Sequence, residues 1–300
     1  MSGGKIVGGV AAGVAVGTVL GFYVLAPNVE GGPAGTDQST TSELDTVRDE
    51  LDAANAGLEA DDAVLDSAAA GMVRDVLKDR SVLVVTLPDA DPAVVDAQEK
   101  LLRAAGAADG GTLRLTRAAV SQDSADAVKT LATSTLPAGA RLSEDRRDPG
   151  YHLGQVAGQA LGSSADGESQ ASPSDRDLFL GAMSDGGYLD GELSGTGPAD
   201  AVLVIAGDDT GYAGTFAADL AAGFDATTGG TVLAGDRGAA AEGGALSVLR
   251  GNRGDTEAVS SVDNADRVAG RITVVRALAA QLDGRAGSYG TAESAAAPAL

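Results

Sequence analysis

The stretch Ser81–Leu87, with the sequence SVLVVTL, is a continuous run of mostly β-branched and aliphatic residues. Runs of this length and composition are typical of strands that are buried on both faces of a parallel sheet. An amphipathic helix is predicted over Pro92–Ala105, and after the pair Gly110–Gly111 a second strand is predicted over Leu113–Thr116. Together these segments predict a strand–helix–strand unit.

The same arrangement recurs later in the chain. Ala201–Ala206 (AVLVIA) repeats the apolar strand, Tyr212–Phe224 repeats the helix, and Val232–Ala234 repeats the second strand. In both copies Gly-Gly-Thr precedes the second strand, at 110–112 and 229–231. Two such units predict an α/β fold with a mostly parallel sheet and helices on both faces. The pattern leaves open whether the copies share one sheet or form two packed lobes.

Residues 79–284 are predicted to form this α/β domain. Its further elements are predicted as helices over Ala125–Ser134, Arg176–Asp185 and Val268–Leu282, a short strand over Leu246–Leu249 and a last strand over Val259–Asp263. The residues from 285 to 300 are mostly small and predict a flexible, frayed tail.

Upstream of the domain, leucines recur every seventh residue. Leu44, Leu51, Leu58 and Leu65 mark a heptad seam, which predicts a coiled-coil helix over residues 43–78. Acidic residues dominate this segment, at Glu43, Asp45, Asp49, Glu50, Asp52, Glu59, Asp61, Asp62 and Asp66, against the single basic residue Arg48. A parallel homodimer would bring these like charges together. Self-association, a different partner and packing on the chain's own domain all remain open.

Near the start of the chain, Ile6–Ala26 contains no charged residue. About 20 apolar residues cross a bilayer as a helix, so residues 1–26 are predicted to be a single-pass transmembrane anchor, followed by a flexible linker over 27–42. Lys5 precedes the span and Glu30 follows it, which predicts a cytoplasmic N-terminus and an extracytoplasmic domain in the cell envelope. A cleaved signal peptide is the competing interpretation.

Glycines recur every fourth residue within this span, at Gly9, Gly13, Gly17 and Gly21. A glycine-lined face lets two helices approach closely, so these residues predict a helix–helix seam. The alternative is that the Gly/Ala-rich composition produces the spacing by chance.

Composition narrows the range of functions. The net charge of −22 repels phosphate backbones, so no nucleic-acid partner is expected. The chain has no Cys, one His (His152) and three Met, which rules out Cys-ligated metal sites and disulfides. The expected partners are the membrane, further copies of the chain and other envelope proteins, through the transmembrane and coiled-coil helices.

Carboxylates follow the first strand of each copy, at Asp89 and Asp91 and at Asp208 and Asp209. Ligands bind at this edge of open α/β sheets, so Asp89, Asp208 and Asp209 are candidates for holding a hard cation or for orienting a polar ligand. Asp91 stands directly before Pro92, which is the arrangement of a helix cap. No nucleophile elbow, P-loop or dinucleotide motif is present, so the chain is not expected to be an enzyme or to carry a cofactor.

Several strings together resemble the MctB family of actinobacterial envelope proteins. They are VLVVTLPDAD at Val82–Asp91, LPAGARLS at Leu136–Ser143, SVDNADRVAGRITVVRAL at Ser261–Leu278 and SYGT at Ser288–Thr291, together with the N-terminal span and the leucine heptads. The resemblance implies a role in copper homeostasis by export across the envelope, and a pore has been proposed for the mycobacterial members. Short apolar strands alternating with helices are typical of a soluble α/β domain, not of a membrane barrel.

Two functional hypotheses are favoured, and a third, a hydrolase that uses carboxylates alone, is the least favoured. In the first, the chain is a membrane-anchored component of a copper efflux assembly, with copper as a transported ion and not as a bound cofactor. In the second, it is an envelope scaffold or interaction protein with no transport role.

Overall fold

A computed structural model describes residues 37–163, 168–191 and 198–300. The chain divides into two compact units, Met1–Glu59 and Ala60–Leu300. The predicted span Ile6–Ala26 and its glycine seam lie outside the described residues, as do most of the predicted linker residues. Within the described ranges, no helix is both long and apolar enough to cross a membrane.

The described elements alternate between helices and strands along most of the chain. In order they are α1 (Asp37–Met72), β1 (Ser81–Thr86), α2 (Pro92–Ala104), β2 (Ala108–Leu115), α3 (Ala125–Ser134), α4 (Pro149–Leu161), α5 (Pro173–Asp185), β3 (Leu189–Asp190), β4 (Ala201–Ile205), α6 (Tyr212–Asp225), β5 (Thr231–Ala234), α7 (Ala245–Gly251), α8 (Arg253–Ala258), β6 (Ser260–Val262), α9 (Val268–Leu282) and β7 (Ser288–Tyr289).

The strands form one sheet in the order β3-β2-β1-β4-β5-β6-β7. All neighbours are parallel except β3, which runs antiparallel to β2. The first strands of the two copies, β1 and β4, are direct neighbours, with Val84 opposite Leu203. This confirms the predicted α/β class with a mostly parallel sheet, and it shows that both copies belong to the same sheet.

Apolar residues cover both faces of the sheet. On one face, side chains of α3–α7 form a cluster with Leu83, Val85 and Leu233. On the other face, α2 and α9 pack with Val82 and Val84, and the C-terminal end of α1 joins them. Successive residues of β1 therefore point to opposite cores, which is why its sequence shows a continuous apolar run.

Helices α4 and α6 pack with their backbones in contact. A Cβ atom added at Gly154 would collide with the carbonyl oxygen of Leu220, and one added at Gly223 would collide with that of Tyr151. Glycine recurs every fourth residue in α4, at 150, 154 and 158, and side chains four apart share one helix face. The glycines therefore give α4 a flat face on which α6 rests.

The structure differs from the sequence expectations at several places, and one is β2, which begins at Ala108 and includes the glycine pair predicted to precede it. Leu246–Leu249, predicted as a strand, lies in helix α7, where buried Leu246 and Leu249 are three residues apart on one face. The helix predicted over residues 43–78 is α1, which begins at Asp37 and ends at Met72. It ends there because the following turns bury Val73 and Leu77, and the Leu77 N–H donates to the Ala105 carbonyl.

Another difference concerns the predicted tail over 285–300. Its strand β7 pairs in parallel with β6 at the edge of the sheet. The N–H of Ser261 donates to the Gly287 carbonyl at 2.9 Å, and the N–H of Asp263 donates to the Tyr289 carbonyl at 3.1 Å. These bonds make residues 288–289 part of the sheet. The sequence had predicted a frayed end.

Candidate functional site at the carboxyl edge of the sheet

Strands β1 and β4 meet at the point where the strand order changes direction. From β1 the chain proceeds to β2 on one side, and from β4 it proceeds to β5 on the other. In open α/β sheets, ligands bind outside the carboxyl ends of the strands at such a point. The candidate residues Asp89, Asp208 and Asp209 follow these two strands, so a ligand site is expected at this edge of the sheet.

The structure brings Asp89 and Asp209 together there. The backbone N–H of Asp209 donates to Asp89 Oδ2 at 2.8 Å, and Arg117 Nη1 lies 3.0 Å from Asp209 Oδ2. Gly207 is pressed against the backbone of Asp89 so closely that a Cβ atom would collide with the Asp89 carbonyl. Asp89 therefore fastens the loop after β4 to the loop after β1.

Asp208 does not join this pair. It is exposed, and its Cβ lies against Gly238 in the loop that follows β5. Within the described ranges, no group of three or more His, Cys, Asp or Glu side chains is arranged to hold a metal ion.

The space at the switch point is small. A cavity of about 10 Å³ lies between Leu87, Pro88, Val120, Ala213 and Ala217, which is room for about one water molecule. Asp91, by contrast, caps helix α2: its Oδ1 accepts from the Ala93 N–H at 2.8 Å, and Pro92 occupies the first helical position. This arrangement is structural.

A larger cavity of about 220 Å³ lies one strand away, beside the ends of β1 and β2. Its polar lining consists of Thr86, Asp96, Arg114 and Asp190. Neither Asp96 nor Asp190 forms an ion pair with another described residue. The cavity has room for a small polar molecule, and sequence reasoning missed it because these four residues come from four different elements.

A partly buried ionic cluster lies on the α4–α6 side of the sheet. Arg146 Nη1 lies 2.6 Å from Asp255 Oδ1, Arg146 Nη2 lies 2.6 Å from Asp219 Oδ1, and the guanidinium stacks 4.4 Å from the centre of the Tyr151 ring. Burial acts to lower the pKa of Arg146, but the two carboxylates outweigh it and raise the pKa. Burial raises the pKa of Asp219 more than Arg146 lowers it.

This cluster joins three separate parts of the chain and was not found from the sequence. The only feature of the sequence at this position is the polar run Ser143–Pro149, which is typical of an ordinary loop. Since both carboxylates are bonded to Arg146, the cluster holds that loop on α6 and α8.

Among the described residues, few side chains are suited to bind copper, and of the His and Met residues only Met72 is exposed. His152 is buried, and its Nε2 lies 3.0 Å from the Ser143 carbonyl, which requires that nitrogen to carry the proton. Met183 is buried in the core, whereas Met72 is exposed on α1. The described residues therefore offer no convergent set of soft ligands.

Comparisons with known proteins agree with the resemblance seen in the sequence. Residues 6–300 match the family described as Copper transport outer membrane protein, MctB. The chain is 31% identical over 290 residues to the copper transporter MctB of Mycobacterium tuberculosis, covering 94% of this chain and 92% of that relative, with the same figures for Mycobacterium bovis. For the copper transporter MctB of Mycobacterium leprae, identity is 34% over 235 residues, covering 75% of this chain and 74% of that relative.

Proposed function

This chain belongs to the MctB family of copper transport outer membrane proteins, and from that membership we propose that it acts in copper homeostasis, as a component of a copper export route in the cell envelope. The family match carries the proposal. It extends over residues 6–300, and so includes the apolar segment, helix α1 and the α/β domain.

The chemistry of the chain supports an indirect role in export. Copper(I) prefers thiolate and thioether ligands and copper(II) prefers imidazole, yet the chain has no Cys, one His and three Met. The histidine is bonded to a carbonyl and Met183 is enclosed in the core. In this proposal the chain is an adaptor or subunit, copper is the transported ion, and the chain carries no cofactor and catalyses no reaction.

The proposed topology follows from the N-terminal sequence. Ile6–Ala26 anchors the chain with its N-terminus in the cytoplasm, and the glycine face from Gly9 to Gly21 forms a seam with another helix. The α/β domain is then extracytoplasmic. Helix α1 connects the anchor to the domain and takes part in assembly.

The test is the copper content of a deletion strain grown with added copper. Complementation with the intact chain is compared with a version that lacks residues 1–27 and is exported by a cleavable signal peptide. We expect raised cellular copper on deletion, and rescue only by the anchored form. Unchanged copper on deletion would contradict a role in export.

An envelope scaffold without a transport role is the second candidate. Its support is the exposed apolar stripe of α1, described below, because a helix that leaves leucines in water is suited to bind another protein. Deletion would then leave cellular copper unchanged but alter the composition of an envelope complex.

A further inference from the structure

Helix α1 carries an exposed stripe of large apolar side chains. Val47 is 40% exposed, Leu51 58% and Leu58 51%. These residues follow the heptad spacing of a coiled coil, with Ala54 at the intervening position. Among the described residues, most of the exposed large aliphatic side chains belong to α1, so within that part of the chain this stripe is the principal uncovered apolar surface.

The C-terminal end of the same helix shows what kind of surface covers such a stripe. Leu65 packs against the core cluster of the domain, and Ala69 is buried there. Beside them, Arg267 Nε lies 2.8 Å from Asp62 Oδ2, with both side chains partly buried. The covering surface therefore combines apolar side chains with an arginine that pairs with an acidic residue of α1.

Acidic residues also surround the uncovered stripe. Five lie between Leu44 and Glu59, against the single basic residue Arg48, whose Nη1 lies 3.6 Å from Asp45 Oδ1. A second copy of the helix would double this negative charge within a few helical turns. An anionic lipid surface would also be repelled, since the Debye length of about 8 Å at physiological salt screens such charges only in part.

We propose that the stripe of Val47, Leu51 and Leu58 is the docking site for a basic amphipathic helix of another envelope protein, with apolar residues at heptad spacing and Lys or Arg beside them. The heptad spacing favours a helical partner, because knobs-into-holes packing occurs between two helices with this spacing. The acidic surroundings select a cationic partner. This docking site rests on the proposed role of the chain in an envelope assembly, and its test does not depend on copper.

The test uses the absence of Cys from the natural chain. Leu51→Cys places a single thiol in the stripe, and Ala53→Cys places one on a different face of the helix. The full chain in detergent micelles is mixed with a synthetic helix with Leu at the a and d positions, Lys at e and g, and one Cys at a central a position. A matched helix with Glu at e and g is the charge control, and disulfide formation is measured under a mild oxidant.

We expect Leu51→Cys to crosslink to the Lys helix at least tenfold faster than Ala53→Cys does, and at least tenfold faster than to the Glu helix. Raising the salt to 1 M, where the Debye length is about 3 Å, is expected to reduce this preference. Equal rates for the two synthetic helices would overturn the proposal. Homodimer formation through Leu51→Cys without any synthetic helix, and in excess of that through Ala53→Cys, would also overturn it and identify a second copy as the occupant.

Discussion

Arg250 and Asp263 form an ion pair that the fold encloses almost completely. Arg250 Nη1 lies 2.7 Å from Asp263 Oδ2, with side-chain exposures of 3% and 0%. Arg250 Nη2 also donates to the Tyr289 carbonyl at 2.8 Å, and Asp263 Oδ1 accepts from the Thr291 N–H at 2.6 Å. The pair therefore connects α7 and the end of β6 to β7, and its hydrogen bonds hold Ser288–Thr291 (SYGT) against the sheet.

Replacing Arg250 is expected to cost stability. Arg250→Met leaves the Asp263 carboxylate buried without its cation, and losing one partner of a buried pair costs about 3–5 kcal/mol. The measurement is the free energy of unfolding in urea, followed by far-UV circular dichroism. The control is Arg253→Met, whose side chain is 92% exposed beside Glu257; it should change stability by no more than about 1 kcal/mol. Equal losses in the two variants would contradict a structural role for the buried pair.

Glycine substitutions test the contact between α4 and α6. Gly154→Ala places a methyl group against the Leu220 carbonyl, and such overpacking costs about 1–3 kcal/mol. Gly181→Ala is the matched control in helix α5, where a Cβ atom meets nothing within 4 Å; it should stabilise the chain by about 0.5–1 kcal/mol. Thermal unfolding of both variants gives the comparison, and a rise in Tm for Gly154→Ala would refute the close contact.

The stability of the chain should depend on the titration of Asp225. Burial raises the pKa of Asp225 from 3.8 to about 6, more than its hydrogen bond with Thr231 lowers it. Between about pH 4 and pH 6 the folded state holds the proton more tightly than the unfolded state does, so this contribution to stability is lost as the pH rises.

Asp225→Asn removes this titration. The variant should match the natural chain near pH 4 and exceed its free energy of unfolding by about 1–3 kcal/mol at pH 7. Urea unfolding across that pH range measures the difference. Parallel stability profiles for the two proteins would show that Asp225 keeps an ordinary pKa in the folded state.

Two substitutions distinguish a ligand-binding role of Asp89 from a structural role in holding the loop after β4. Asp89→Asn keeps an oxygen that accepts from the Asp209 N–H, so stability and cellular copper should both stay unchanged. Asp89→Ala leaves that N–H without its partner and should cost about 1–3 kcal/mol. Asp208→Asn, at an exposed position, is the control. If Asp89→Asn raised cellular copper as a deletion does, the carboxylate would belong to a functional site.

The proposed seam in the N-terminal apolar segment has its own test. Leu in place of Gly13 and Gly17 fills the face along which two backbones approach. We expect crosslinking of the anchored protein in membranes to fall at least severalfold, while Leu in place of Ala11 and Ala15, off that face, leaves it unchanged. Unaltered crosslinking in the glycine variant would rule out the seam.

Much of the fold was predictable because its central strands are buried on both sides. Ser81–Leu87 and Ala201–Ala206 are apolar throughout, and the boundaries of α2, α3, α6 and α9 follow from helical periodicity. The family resemblance was also confirmed, since it depended on strings distributed along the whole chain.

The failures have physical causes. Leu246–Leu249 was mistaken for a strand because a seven-residue helix shows too little periodicity. Helix α4 gave a weak signal because glycines opposed helix propensity, although close packing with α6 needs them. At the candidate site, the order of the strands brings Asp89 and Asp209 together, whereas the sequence left open whether the two copies share a sheet. No local pattern could show that only about one water molecule fits beside them.

Strand β7 follows β6 in the chain and pairs with its outer edge. Synthesis proceeds from the N-terminus, so β6 emerges while its outer neighbour is still missing. During that interval the edge of β6 is open to strands of other molecules, and Asp263 lacks the N–H groups that the last residues provide. A product truncated before Ser288 stays in that condition, exposed to aggregation and proteolysis. A chain without β7 therefore leaves the outer edge of β6 unpaired.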